Sequence, residues 1–146
     1  MRLISHRGNI NGPNQGLENS PGYILQAIRL GFEVEIDVWF VDNKFKLGHD
    51  APTYDFPFFI LEDYYRYLWI HCKDVESFSK LNEIDKTGVR LNYFFHDVDR
   101  GVLTSQGYIW SIEPLDRGIL VMPESTGNQP GPLTIGICSD HVQSYR

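Results

Sequence analysis

FEVEIDVWF, residues Phe32 to Phe40, alternates strictly between two kinds of side chain. Successive residues of an extended strand face opposite ways. Phe32, Val34, Ile36, Val38 and Phe40 therefore share one side, and Glu33, Glu35, Asp37 and Trp39 share the other. Three carboxylates on one strand face repel each other. Either water solvates them, as on an ordinary half-buried amphipathic strand, or something positive sits against them. The first reading makes this a surface strand; the second makes it the wall of a site.

Similar short apolar runs recur along the chain. Strands are expected in RLISH (2–6), EVEIDVWF (33–40), KFKLGH (44–49), YLWIHCK (67–73), RLNYFFHD (90–97), YIWSIE (108–113), GILVMP (118–123) and TIGICSD (134–140). VDNK (41–44) reads as a hairpin turn between the second and third. The clearest helix is SPGYILQAIRLG (20–31). Ser20 can cap it, Pro21 suits its first turn, Ile24, Ala27 and Ile28 form an apolar stripe, and Gly31 can end it. ILEDYYRY (60–67) and VESFSKLNEID (75–85) read as shorter helices, and ESTGNQPGPL (124–133) as a loop.

Eight strands with few helices suggest a closed sheet, yet the chain has only 146 residues. An eight-stranded α/β barrel takes roughly 250 residues, and a parallel crossover a dozen or more. DRGVLTSQG and PLDRG are shorter than that. The expected fold is a shortened (β/α)8 TIM-type barrel, one domain over residues 1–146, with several outer helices missing.

Composition narrows the function. A hydrophobic fraction of 42% suits one domain with a core. The net charge of −6, without a long basic run, argues against nonspecific nucleic-acid binding. No segment has the apolar length to span a bilayer, and MRLISHRGN turns polar too soon for a secretory signal. Cys72 and Cys138 each sit in an apolar run, which points to two reduced, buried thiols in a cytoplasmic protein.

Four motifs carry chemistry. ISHRGN ends the first strand with His6 and Arg7. GLENS places Glu18 and Asn19 just before the helix. Glu35 and Asp37 follow on the second strand, and KLGHDAP ends the third with His49 and Asp50. In this order the chain resembles the glycerophosphodiester phosphodiesterase family, within the barrel superfamily of the phosphatidylinositol-specific phospholipases C. Residues 3–50 match that pattern almost without a gap. Beyond them, YLWIHCKD resembles the family's fourth strand, with Lys73 at its lysine, and TIGICSDH resembles its last.

The chemistry fits these residue types. A phosphodiester is anionic and resists attack, so its cleavage needs charge neutralisation, a base for the nucleophile and an acid for the leaving alkoxide. Glu35 and Asp37 project the same way, and with Glu18 they offer a hard, oxygen-rich site for Mg²⁺ or Ca²⁺. The resemblance implies that His6 and His49 are the acid–base pair, that Arg7 grips a phosphoryl oxygen, and that glycerophosphodiesters are the default substrate. The alternative for Arg7 is a salt bridge to Glu35 or Glu18. Lys73 contacts the phosphate or holds a ligating carboxylate. Trp110 lines the pocket mouth or packs in the core. His96, Asp97 and Asp99 end a strand and can reach the site. Glu33 lies one pleat deeper and is expected to pair with a cation, Asp50 to point away from His49, and Asp140 and His141 to cap the last strand.

One departure stands out. The family's fourth strand carries a metal-binding glutamate two residues before the lysine; here the position is His71. As a fourth ligand, His71 removes a negative charge and shifts preference toward Mn²⁺ or Zn²⁺. The rival functions are a related phospholipase or lyase that forms a cyclic phosphate, and a weak or inactive barrel that binds a phosphorylated metabolite or a partner protein. Strand faces stripped of outer helices, with aromatics such as Phe58 and Phe59 nearby, lead to the expectation of a homodimer.

Overall fold

The computed structural model describes residues 1–146. The chain begins with β1 (Arg2–His6), α1 (Pro21–Arg29), β2 (Glu33–Val41), β3 (Lys44–Leu47) and β4 (Tyr54–Asp55). α2 (Phe58–Tyr64) and a 3₁₀ turn lead into β5 (Leu68–Cys72), α3 (Val75–Asp85) and β6 (Tyr93–Phe95). Then come β7 (Gly101–Leu103), β8 (Ile109–Ser111), β9 (Gly118–Val121), the four-residue α4 (Pro123–Thr126) and β10 (Gly136–Ser139). All eight expected strands form; β1 has the expected limits, β2 runs one residue longer and the other six are trimmed. β4, β7 and α4 were not anticipated, being too short for any period to register.

The (β/α)8 expectation is overturned. The sheet follows the order β6-β5-β2-β1-β10-β9-β8-β7, with β3 and β4 branching from β2, and β6 and β7 do not pair. It is a mixed sheet curled into a half-barrel, since β7 runs antiparallel to β8 while the other neighbours on this path are parallel. The physical reason is length. Only residues 96–146 remain after β6, and a full βαβ unit takes about 30. β8 reaches its parallel neighbour β9 through residues 112–117 alone, with no helix. The two ends of the curl are stitched by Ser105, whose N–H donates to Tyr93 O at 2.9 Å and whose Oγ accepts from Tyr93 N–H at 3.0 Å. Phe94 and Trp110 also meet across this seam, ring centroids 4.9 Å apart.

Local chemistry explains the elements that matter for the site. The turn at Asp42-Asn43 has both residues at positive φ (51° and 63°), the conformation that suits a two-residue hairpin. Ser20 is the N-cap of α1 but makes no side-chain cap bond, contrary to expectation; Pro at the first helical position and the buried Ile24 and Ala27 hold that helix instead. Asp74 caps α3, accepting from Ser77 N–H at 2.8 Å, and also accepts from Phe40 N–H of β2 at 3.1 Å.

Two apolar layers flank the sheet. Val34, Ile36 and Val38 of β2 pack with Ile70, Ile24 and Leu81 on the outer, helix-covered face. Inside the curl lie Ile4, Trp69, Phe94, Trp110, Ile119 and Cys138. The acidic face of β2 therefore points inward. Glu35 is 3% exposed and Asp37 0%, so water does not solvate them. Both cysteines are free and buried; burial holds the Cys72 thiol up at about 12. No helix is long and apolar enough to cross a membrane.

Candidate functional site

Strand register assembles the site. β2 pairs with β1 so that Glu35 lies beside His6, and with β5 so that Asp37 lies beside His71. Paired residues of neighbouring strands share a face, so all four side chains enter the interior at the carboxyl ends of β1 and β5, the end where parallel sheets place their ligands. On its other edge β2 changes partner. β1 pairing stops at Glu35, and β3 pairing begins at Val38. The Asp37 N–H falls in that gap. Asn19, held at φ 62°, fills it: its Oδ1 accepts from Asp37 N–H and its Nδ2 donates to Asp37 Oδ2, both at 2.9 Å. Asn is among the few residues that tolerate this left-handed conformation.

Arg7 turns out of β1 at φ 54°. Its guanidinium donates Nη1 to Glu18 Oε2 at 3.2 Å, and its Nε lies 3.2 Å from Asp37 Oδ2. Asn9, fully buried, donates Nδ2 to both Glu18 Oε1 and Asp140 Oδ1 at 2.8 Å. Both oxygens of Glu18 are thus engaged within the protein. The ligand atoms of Glu35, Asp37 and His71 lie within 4.8 Å of one another, a grouping that does not include Glu18. Asp37 Oδ1 is buried and accepts no hydrogen bond; its neighbours are His71 Nδ1 at 3.0 Å and Lys73 Nζ at 3.8 Å. A buried carboxylate oxygen faced by nitrogen groups of this kind suits a cation ligand.

Charges in the cluster are set by one another. Burial alone would raise the Asp37 carboxyl, but His71, Arg7 and Asn19 outweigh it and hold it at about 2. Glu35 moves the other way, raised by burial and by the charge of Asp37. Such a split keeps one carboxylate ionised and lets its neighbour hold a proton. His6 Nδ1 lies 2.7 Å from Asp140 Oδ1, and its Nε2 is 3.9 Å from Glu35 Oε2. Burial lowers the His6 imidazole, but Asp140 and Glu35 more than offset this, so it binds its proton more tightly than an ordinary histidine.

His6, Arg7, Glu35, Asp37, His49, His71, Lys73 and Trp110 line one open cavity of about 220 Å³, together with His96, Asp97 and Asp99. Trp110 does both things expected of it, being 6% exposed in the interior core while lining the cavity. Arg7 takes the salt-bridge alternative, though with Asp37 as well as Glu18. Lys73 stands beside a carboxylate. Glu33 pairs with Arg2 at 2.7 Å, as its deeper position suggested.

Two expectations fail. Asp50 does not point away from His49: its Oδ1 lies 2.7 Å from His49 Nδ1. The chain leaves β3 at Gly48, φ 149°, where a Cβ would collide with Ala51 O, and the regular strand alternation behind that expectation ends there. Asp140 is more than a strand cap, since it holds His6. The sequence signal for that role was its place at the end of the expected last strand, beside the first; that its carboxylate reaches the His6 ring depends on the register between the two. The stacking of His96 on His71, centroids 4.6 Å apart, was equally invisible.

No protein-family model, curated protein or solved structure matches this chain.

Proposed function

We propose that this cavity hydrolyses a small phosphodiester, with His6 and His49 as the acid–base pair and with help from a divalent cation. The supporting observation is the cluster of Glu35, Asp37 and His71, whose ligand atoms lie within 4.8 Å of one another in a cavity that also holds two carboxylate-oriented histidines and the cations Arg7 and Lys73. Glu35, Asp37 and His71 are the residues that would hold the cation. Their two carboxylates favour Mg²⁺ or Ca²⁺, and the His71 nitrogen brings Mn²⁺ or Zn²⁺ within range. When bound, it would supply charge neutralisation at the phosphoryl oxygens.

The protein's own groups do the rest in this reading. One histidine takes the proton of the attacking hydroxyl, from water or from a neighbouring substrate hydroxyl, and the other returns a proton to the leaving alkoxide. Asp140 and Asp50 fix the ring orientations. His71 and Arg7 hold Asp37 ionised, and Arg7 and Lys73 lend positive charge to the phosphate. The motif order over residues 3–50 supports a glycerophosphodiester as substrate, and the cavity of about 220 Å³ favours a small head group. The chain is read as cytoplasmic, with its thiols reduced, and as a homodimer joined through apolar surface.

One observation favours a second reading. Arg7, His71 and Lys73 already surround Asp37, so the carboxylate has positive neighbours in Arg7 and Lys73 without a metal. The chain would then bind a phosphorylated small molecule and cut nothing. Hydrolysis of an aryl phosphodiester, with EDTA and with each added metal, decides. Metal-stimulated release of the aryl alcohol supports the hydrolase. Saturable binding of the diester without release under any metal supports the binder.

A further inference from the structure

The amino-terminal end of the half-barrel opens into a second cavity, of about 530 Å³. Trp69 lines it and Trp110 lines the upper cavity, with ring centroids 5.5 Å apart, so the two lie on opposite sides of the aromatic interior. Three arginines line the lower cavity: Arg2, Arg66 and Arg90. Arg2 is used internally. It donates Nη1 to Glu33 Oε1 at 2.7 Å and Nη2 to the Tyr108 hydroxyl at 3.1 Å, and its guanidinium lies over the Trp69 and Tyr108 rings. This cancels the charge of Glu33, the one acidic residue of the lining.

Arg66 and Arg90 are not used in this way. Arg66 donates Nε to the Tyr65 hydroxyl at 3.1 Å, and the ion pairs of the chain, to a limit of 4.0 Å, engage other cations. Neither arginine at this cavity has a carboxylate partner, so both guanidinium charges are open to a ligand. A second observation points the same way. Asn92, at the foot of β6, is only 6% exposed and lines this cavity, yet its Oδ1 has no hydrogen-bond partner. Its backbone is fixed, the carbonyl accepting from Ile70 N–H at 2.9 Å. A buried amide oxygen without a protein donor has hydrogen-bonding capacity that a ligand group can use.

We propose that this cavity is a second ligand site, for a small organic molecule bearing an oxyanion, phosphate or carboxylate, and a hydrogen-bond donor. The forked donors of Arg66 and Arg90 take the oxyanion. Asn92 Oδ1 takes the hydroxyl or amine. The volume lies in the range of small-molecule sites. None of these residues belongs to the upper cavity, so the inference stands or falls independently of the proposed hydrolase.

The chain has three tryptophans, and the Trp69 indole donates Nε1–H to Glu33 Oε2 at 2.6 Å in the wall of this cavity. Its indole ¹⁵N–¹H resonance reports the site directly. The probes are sodium phosphate and, separately, sodium succinate, each titrated at constant ionic strength. The expected result is a saturable Trp69 shift with at least one of them; which anion produces it identifies the head group. The Arg66→Ala/Arg90→Ala variant should weaken that response at least tenfold. Both side chains are exposed, and an unchanged Trp39 resonance checks the fold. In Lys73→Ala, phosphate bound at the upper cavity through Trp110 should weaken while the Trp69 shift remains. The proposal is overturned if neither anion gives a saturable Trp69 shift, or if the shift persists at full affinity in the double arginine variant.

Discussion

His6 Nδ1 and Asp140 Oδ1 lie 2.7 Å apart, joining residues 134 positions distant in the chain. The contact fixes the ring and leaves Nε2 facing the cavity, 3.9 Å from Glu35. It also ties the last strand to the first functional residue of the chain.

That pair makes stability and rate depend on pH. His6 is raised above 6.5, so its contribution is full below 6.5 and is lost as pH rises through the raised value. Burial would raise Asp140, but His6 and Asn9 hold it below 3.8, so its contribution is present above 3.8 and is lost as pH falls through the lowered value. The two overlap between 3.8 and 6.5. Asp140→Asn should therefore destabilise the protein most at about pH 5 and less at pH 8.5, by urea unfolding at both. Turnover should fall by about ten- to a hundredfold, the usual cost of losing an orienting partner, and the His6 limb of the pH–rate profile should move to lower pH. A profile that does not move removes Asp140 from that role.

Asp37→Asn keeps shape and removes a charged ligand. Metal-stimulated turnover should drop by at least about ten- to a hundredfold, and calorimetry should show weakened metal binding. Full activity of this variant in EDTA would sink the metal assignment.

His6→Ala and His49→Ala should each cost about two to four orders of magnitude on an alkyl diester. His49 is 39% exposed on its side chain, so its removal should leave the unfolding midpoint almost unchanged. An aryl diester, whose leaving group needs little protonation, should rescue whichever histidine is the acid. Normal rates for both variants on the alkyl substrate would refute the mechanism.

His71→Glu adds a hard, charged oxygen beside Asp37. Calorimetric titrations should show Mg²⁺ or Ca²⁺ affinity rising and preference for Mn²⁺ or Zn²⁺ falling. Metal ligands must shed their protons to bind, so metal affinity of the native chain should fall as pH is lowered. An unchanged metal profile at two pH values would take His71 out of the site.

Val75, Phe78, Phe95, Val102 and Leu103 form an apolar groove beside the gap between β6 and β7, which do not pair with each other, and Phe58 and Phe59 are exposed elsewhere. Such surface favours self-association. Light scattering at high micromolar concentration should give a dimer, converted to monomer by Phe78→Asp if the groove is its interface. A monomer in the unsubstituted protein would refute the dimer.

Local pattern carried much of the fold. The alternation of FEVEIDVWF, the VDNK turn and the limits of α3 could be read directly, because each depends on a period of two, a turn geometry or a helical stripe within a few residues. The order of His6, Arg7, Glu18, Glu35, Asp37 and His49 along the chain also marked the cavity, and all of these but Glu18 line it.

What the sequence by itself determined is which residues face together within one strand, since pleating makes neighbours alternate regardless of context. It placed Glu35 and Asp37 on one face. Only the tertiary structure decided that this face turns inward, that the eight-strand path stays open between β6 and β7, and that His71 rather than Glu18 stands with the two carboxylates. It also decided that Asp140 holds His6 and Asn92 is left without a partner. These outcomes depend on register between strands far apart in the chain and on how much chain remains to cover them. Neither is encoded in the spacing of nearby residues.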